Sequence, residues 1–281
     1  MTMTHVEDYF VTHDGLQLYA QHWLPSDEAR ANMIIVHGIG EHSGRYTNVV
    51  EWFVPQGYAV HGFDHRGHGK SPGQRGHINS WTDFREDIHA CIQTVERAYP
   101  GVPTVLLGHS MGGLAVLDYG LHHGEGLKAL VASAPPLTQG NDISPVLLLL
   151  TRILSPLLPK LTLKTGLSAA SLSRDPKVVA AYQEDPLVHG LATPRLGAEM
   201  QKTMKTTLGA APQWPADLPL LIVHGGADLI CPPEGSSQFL AAAGAKDKAR
   251  REYEGYYHEV FNEIGKEQVL ADVQTWLEAH L

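Results

Sequence analysis

The sequence predicts an α/β fold with a mostly parallel central sheet, helices on both faces and an inserted helical cap. Three observations lead to this prediction. Short apolar runs rich in β-branched residues recur along the chain, and amphipathic helical segments separate them. This alternation stops over residues 137–212 and resumes after them. A chain of 281 residues is long enough for one such domain with an insertion.

The first elements are a hairpin and two strands joined by a helix. Residues 9–23 predict a hairpin that turns at residues 13–15, His-Asp-Gly. The apolar runs 32–36 and 58–63 predict buried strands, because neither run has a polar face. A helix over about residues 46–54 separates them, and a helical crossover makes two strands parallel.

The later elements repeat this pattern on both sides of the insertion. A long helix is predicted from apolar residues at helical spacing, which are Phe84, Ile88, Ile92 and Val95. Further strands are predicted at about residues 103–109, 127–135, 219–225 and 249–255, and further helices from residue 111 and over 265–280. We therefore predict a core formed by residues 1–136 and 213–281, and a cap formed by residues 137–212.

Composition and charge exclude several classes of partner. The formal net charge is −9, without a run of Lys or Arg, which argues against nucleic acid and against attachment to anionic lipid. The charge does not argue against contact with a neutral lipid surface. The two cysteines lack a C-x-x-C spacing, which indicates a reducing compartment. Because no export signal is recognisable and Arg152 and Pro156 interrupt the longest apolar stretch, we expect a cytoplasmic protein, with membrane contact at most peripheral.

The strongest chemical signal is Gly108-His109-Ser110-Met111-Gly112, between a predicted strand and a predicted helix. Gly-x-Ser-x-Gly in this context predicts a nucleophile elbow, a tight turn that holds an exposed serine in a strained conformation. The pentapeptide alone has low specificity. Its place between strand and helix makes Ser110 the candidate nucleophile.

A serine hydroxyl needs a base, and the base needs an orienting acid. In α/β-hydrolases the acid and then the histidine follow the serine along the chain, each in a loop after a later strand. Asp228 and His258 satisfy this order. Asp217 precedes its strand, at the wrong end of the sheet, and Glu259 is too close in sequence to His258 to orient its ring.

The tetrahedral intermediate needs backbone N–H donors. The first is predicted to be Met111, which follows the nucleophile. The second is predicted to be Ile39, in the glycine-rich loop that follows the strand 32–36. A metal is not expected: the loop that begins at Asp64 contains several His residues, but a metal-ligand spacing is not found.

The motifs HGIGEHSGRY, FDHRGHGKSPGQRGH, GHSMGG, HGGADLICPP and YYHEVFNE together resemble the monoacylglycerol lipases and lysophospholipases among the serine hydrolases. The resemblance covers the α/β core in order; the cap matches only in length and in its leucines. It implies Ser110, Asp228 and His258 as a triad, Ile39 and Met111 as the oxyanion hole, and no cofactor. It also implies that Glu41 and Arg45 organise the pocket for the glycerol hydroxyls. For the histidine-containing loop it implies a structural role, in which Asp64 and Arg66 hydrogen-bond backbone groups near the active-site face.

The resemblance also implies an activity, with one departure. The expected reaction is cleavage of monoacylglycerol to fatty acid and glycerol through an acyl-serine, with lysophospholipase or broad carboxylesterase as alternatives. Mammalian monoacylglycerol lipases have a histidine three residues after the catalytic histidine, where this chain has Phe261. A silent hydrolase-like binding protein is a remote alternative, since each part of the machinery is present. The apolar stretch 146–158 is either cap core or a hydrophobic entrance. The sequence does not predict the preferred acyl-chain length of the substrate or the oligomeric state of the protein.

Overall fold

A computed structural model describes residues 3–139 and 145–281, without the side chains of residues 145–148 and 150. Residues 140–144 of the predicted cap lie outside the described residues. In the described part, eight strands form one sheet and two form a separate pair. The strands are β1 (Thr4–Val11), β2 (Gln17–Leu24), β3 (Ala31–Val36), β4 (Tyr58–Phe63), β5 (Thr104–His109), β6 (Leu127–Ser133), β7 (Leu163–Lys164), β8 (Leu191–Ala192), β9 (Leu220–Gly225) and β10 (Lys248–Tyr253).

The large sheet has the order β1-β2-β4-β3-β5-β6-β9-β10. β1 and β2 are antiparallel, as are β2 and β4, and every pairing from β4 to β10 is parallel. The predicted hairpin and the mostly parallel sheet are therefore confirmed. Because parallel strands end at the same edge, the loops after β3, β5, β9 and β10 meet there.

Helices cover both faces of the sheet. The helices are α1 (Thr47–Phe53), α2 (Trp81–Ala98), α3 (Met111–His123), α4 (Pro145–Leu157), α5 (Pro176–Glu184), α6 (Pro194–Ala210), α7 (Pro233–Ala242) and α8 (Lys266–Glu278). Successive residues of a strand point to opposite faces. On β3, Ile34 packs with α2 and α3, whereas Ile35 packs with α1 and α8. This two-faced core holds the strand ends in place.

Local sequence signals account for the main helix boundaries. Ser80 caps α2, and its backbone N–H in turn donates to the Asp83 carboxylate, which completes a capping box. Thr193 caps α6, with a proline at the first helical position. These polar caps explain why both helices begin directly after a loop.

The insertion between β6 and β9 contains α4, α5, α6 and the antiparallel pair β7–β8. It is therefore not purely helical, although both strands have only two residues and neither is buried. α6 packs on α3 through Leu196, which is fully buried in the core. Within the residues that the structure describes, no helix is long and apolar enough to cross a membrane.

Candidate active site

Ser110 lies in the turn between β5 and α3. Its backbone is in the positive-φ region, with φ 54° and ψ −123°, which is costly for a residue with a side chain. A Cβ on Gly108 would overlap the carbonyl oxygen of Gly112, and a Cβ on Gly112 would overlap that of Val36. The two glycines are therefore required by close approach, as the predicted elbow demands, and Ser110 is positioned at the edge of the pocket described below.

Asp228 and His258 are joined directly. The Nδ1 of His258 lies 2.7 Å from the Oδ2 of Asp228, and both residues are buried. The other carboxylate oxygen of Asp228 accepts hydrogen bonds from the backbone N–H groups of Ile230 and Cys231. His224 donates to Oδ2 as well, at 3.2 Å. The Asp228 carboxylate is thus fixed, and because it binds Nδ1, Nε2 is the ring nitrogen of His258 that is left for proton transfer. Ser110 and His258 line the same pocket.

Burial and charge shift both pKa values of this pair. Burial raises the pKa of Asp228, but His258 and the hydrogen bonds outweigh it, so that the net shift is downward. For His258, burial lowers the pKa, and the Asp228 charge and hydrogen bond outweigh it, so that the pKa is raised. The pair therefore stays an ionised carboxylate beside an imidazole that is more basic than an ordinary histidine, which suits a general base.

The loop after β3 and the first residue of α3 both lie next to Ser110. Met111 is the first residue of α3, and Ile39 lies in the loop after β3. A Cβ on Gly38 would lie 3.1 Å from the Cβ of Ser110, which places this loop directly against the serine. Across the described residues, neither the Met111 nor the Ile39 N–H donates to a protein acceptor. Both amides are available for an anionic oxygen, and the helix N-terminus adds favourable polarity.

Glu41 anchors the loop that contains Ile39. Its Oε1 accepts from the N–H of Gly38 at 2.6 Å and from the hydroxyl of Tyr46 at 2.9 Å. Its Oε2 accepts from Arg45 at 2.6 Å. Burial raises the pKa of Glu41, but Arg45 and nearby histidines lower it to about 2 overall. Glu41 is thus an ionised, buried acceptor that fixes the backbone beside Ser110.

Arg45 is held by more groups than the sequence indicated. Besides Glu41, it donates to both oxygens of Glu259, at 2.7 and 2.8 Å, and its guanidinium lies 4.7 Å from the ring centre of Tyr182. The carboxylates outweigh burial and raise the pKa of Arg45. Glu259 and Tyr182 both line the pocket and were missed as site residues. The adjacency of Glu259 to His258 was a usable signal, whereas Tyr182 lies in the cap, where no motif pointed to it.

These groups line one pocket between the core and the cap. Its polar end is formed by Glu41, Arg45, Tyr182 and Glu259, close to Ser110 and His258. The rest of its lining is mostly apolar and includes Leu163, Leu167, Leu172, Leu196, Met200 and Met204. The pocket is therefore amphipathic, and Ser110 and His258 share it.

The neighbouring histidines are structural. His109 packs against His258 with ring centres 4.7 Å apart and ring planes tilted by 51°, and burial lowers the pKa of His109 to about 4. His37 donates from Nδ1 to the Gly38 carbonyl and accepts the His65 N–H at Nε2. Both rings therefore stay neutral and support the loops that carry the site.

The structure also shows the surroundings of Asp217, Asp64 and Arg66, for which the sequence made predictions. Asp217 is exposed and paired with Lys246, outside the pocket. Asp64 accepts from the backbone N–H groups of Ser43 and Lys70, as predicted. The prediction for Arg66 was wrong, because Arg66 binds the carboxylates of Asp14 and Asp87 instead. Sequence patterns did not reveal these carboxylates, which come from the hairpin turn and from α2.

His13, Asp14 and Asp87 are also the described residues whose ligand atoms lie close enough together to surround a metal. Arg66 already occupies both carboxylates, as its ion pairs show. Phe261, at the position of the mammalian histidine, is buried with α1 and α8 and does not line the pocket. Neither feature adds a group to the pocket around Ser110.

A serine on a strained strand-to-helix turn, with a bonded Asp–His pair from later loops of the same sheet edge, defines an α/β-hydrolase. The family comparison agrees with this class. The chain belongs to the serine hydrolase family described as "Serine aminopeptidase, S33", whose model matches residues 27–265.

Individual relatives of the chain are lipases. It is 36% identical to a monoacylglycerol lipase of Mycolicibacterium smegmatis, over 100% of both chains. It is 30% identical to a monoglyceride lipase of Rattus norvegicus, over 96% of this chain and 89% of the other. A solved structure of a monoacylglycerol lipase from Paleococcus ferrophilus superposes with a TM-score of 0.84 at 33% identity, covering both chains completely. The chain is thus a serine hydrolase of the group that contains monoacylglycerol lipases.

Proposed function

We propose that this chain hydrolyses monoacylglycerols to fatty acid and glycerol through an acyl-serine intermediate. The observation that supports this most strongly is the pocket itself, which is apolar along most of its lining and polar beside Ser110. A monoacylglycerol has the same division, with an alkyl chain on one side of the ester and a polyol on the other. The lipase relatives point to the same substrate class.

Ser110, His258 and Asp228 take the three catalytic roles in this proposal. The Oγ of Ser110 attacks the ester carbonyl while Nε2 of His258 accepts the hydroxyl proton, and Asp228 stabilises the resulting imidazolium. The N–H groups of Ile39 and Met111 bind the oxyanion. The tetrahedral intermediate collapses, His258 protonates the departing glycerol oxygen, and an acyl-serine remains. Water, deprotonated by His258, then attacks the acyl-serine, and fatty acid leaves as Ser110 regains its proton.

Glu41 and Arg45 organise the alcohol end. Their side chains already hydrogen-bond Gly38, Tyr46, Glu259 and each other. We therefore assign them a mainly positioning role, in which they hold the Ile39 loop and form the polar wall that faces the glycerol hydroxyls. The chemistry of a polyol matches such a wall, since hydroxyls both donate and accept.

The cap supplies a membrane contact in this proposal. Leu149, Ile153 and Leu157 of α4 are all exposed and lie four residues apart, on one face of the helix. Large exposed apolar side chains in one row are typical of an interaction surface. Arg152 does not need lipid as a partner, because it hydrogen-bonds Gln201 of α6. We propose transient docking on neutral membranes or micelles, and a reducing cytoplasmic location in which the buried thiols Cys91 and Cys231 stay free.

A substrate panel tests the proposed activity. Monoacylglycerols from C8 to C20 are compared with lysophosphatidylcholine, p-nitrophenyl esters, triacylglycerol and an aminoacyl p-nitroanilide, since the family description names a peptidase. We expect the highest kcat/KM for a monoacylglycerol. A higher value for lysophosphatidylcholine favours the lysophospholipase alternative, and equal values across all esters favour a broad carboxylesterase. Cleavage of the anilide alone would contradict ester hydrolysis.

A further inference from the structure

Beyond the reaction itself, we infer that Glu259 makes the alcohol end of the pocket select against anionic head groups, so that neutral glycerol esters are accepted and phosphorylated ones rejected. This inference rests on the proposed function, because it assumes that the leaving alcohol occupies the polar end. It concerns which class of lysolipid the same site discriminates, and it gives Glu259 a specificity role distinct from catalysis.

The first argument is the charge balance at the polar end. Among the described residues at this end of the pocket, Arg45 is the one cation, and it lies between two carboxylates, Glu41 and Glu259. All three side chains are almost fully buried, with exposures of 10% for Arg45, 5% for Glu41 and 4% for Glu259. The cluster therefore carries one surplus negative charge. Because buried charges are poorly screened by salt, a phosphate brought to this wall meets repulsion.

The second argument is the geometry of Arg45. An arginine fork is the side chain best suited to bind phosphate, through two parallel N–H donors. Here those donors already point at the two oxygens of Glu259, at 2.7 and 2.8 Å. Tyr182 covers the face of the guanidinium. Without Glu259, this arginine would be an anion site; with it, the donors that would bind a phosphate are occupied.

Lys164 is the other cation among the described residues that line the pocket, and it does not offset this repulsion. Lys164 lies on β7 of the cap and is exposed, so that water and salt screen its charge. Glu259 is further fixed by Asn262, which donates to its Oε2 at 2.9 Å, and by its own backbone N–H, which donates to Leu172 of the cap. The carboxylate is thus held in place against Arg45.

The test compares two substrates with the same acyl chain. The kcat/KM values for 1-oleoylglycerol and 1-oleoylglycerol 3-phosphate are measured for the wild type and for Glu259→Gln. We expect the wild type to prefer the neutral ester by at least about tenfold, and Glu259→Gln to reduce that preference by about tenfold or more. The glutamine removes the surplus charge, releases one guanidinium edge, and leaves Arg45 paired with Glu41 rather than uncompensated.

Two further variants distinguish the effect of the Glu259 charge on substrate preference from the effect of its side-chain shape. Glu259→Asp keeps the charge and should keep the preference for the neutral ester. Glu263→Gln is a matched control, because Glu263 is a buried glutamate of the same loop that pairs with Arg174 outside the pocket. It should leave the substrate ratio unchanged. Equal shifts for Glu259→Asp and Glu259→Gln, or a shift for Glu263→Gln, would overturn the assignment.

A second readout is independent of monoacylglycerol turnover. Inhibition of p-nitrophenyl butyrate hydrolysis by glycerol 3-phosphate should be negligible for the wild type and measurable for Glu259→Gln. If the wild type fails to cleave 1-oleoylglycerol but shows this inhibition pattern, the proposed substrate falls and the charge selection stands. If Glu259→Gln does not fold in a thermal melt, the wild type alone decides: strong inhibition, or equal turnover of both oleoyl esters, contradicts the inference.

Discussion

The loops at the end of the sheet and the cap differ in how far their side chains are buried. Ser110, Asp228 and His258 are all buried, and each follows a strand of the central sheet. In the cap, by contrast, α4 exposes leucines to solvent, with Leu157 at 71% of its full exposure. The site is held by the core on both faces of the sheet, whereas α4 rests mainly on α6.

We infer from this difference that the buried loops determine the reaction, whereas the exposed cap determines which substrates reach the pocket. A residue fixed by buried strands and several hydrogen bonds keeps its position, as catalysis requires. A helix that packs on one neighbour and exposes its apolar face is free to meet lipid. We therefore expect changes in the loops to abolish turnover of every ester, and changes in the cap to alter the choice among esters.

The largest effect is expected for Ser110→Ala. Removing the proposed nucleophile should lower kcat by about five to six orders of magnitude for long and short esters alike. The fold should persist, because the alanine loses only the hydroxyl. Steady-state kinetics with both ester types, together with a thermal melt, check this prediction. Substantial residual esterase activity in a folded variant would show that another nucleophile operates.

A smaller loss is expected for Asp228→Asn. The amide cannot stabilise the imidazolium or hold the required tautomer, so kcat should fall by about four orders of magnitude. The same change also removes the charge that raises the pKa of His258. In the wild type, kcat/KM should rise with pH through an ionisation above the ordinary histidine value of about 6.5. The residual activity of the variant should rise at a lower pH than that of the wild type; an unshifted profile would contradict the pairing.

The smallest effect is expected in the cap, for Leu149→Glu. Leu149 is 58% exposed, so the change should not unfold the protein, but a charge there should weaken binding to neutral liposomes. The ratio of long-chain monoacylglycerol to short-chain ester turnover should fall by about tenfold.

Val11→Glu serves as the matched control for this cap variant. Val11 lies on β1 and is 61% exposed, so it receives the same charge at a similar exposure away from the cap. It should bind liposomes like the wild type. Equal co-sedimentation of both variants and the wild type, with unchanged turnover ratios, would exclude α4 as the docking surface.

The sequence predicted the core well because each signal there is local. The strand β4 matches its predicted bounds, and the elbow glycines Gly108 and Gly112 each stand two residues from Ser110 in the sequence. Asp228 and His258 were predicted as partners of Ser110 from the order of the loops that follow the later strands. The contacts that could not be predicted join segments that are far apart in the sequence. Glu259 binds Arg45, which lies 214 residues before it. Tyr182, which packs on Arg45, belongs to the cap, where no sequence motif indicated a site residue.

Covalent labelling of the pocket tests the central assignment most directly. The wild type is treated with a fluorophosphonate, digested, and the modified residue is located by mass spectrometry, with and without excess monoacylglycerol. The account predicts one adduct, on Ser110, that monoacylglycerol suppresses and that Ser110→Ala lacks. An adduct on a different residue, or labelling of Ser110 that monoacylglycerol leaves unchanged, would contradict it.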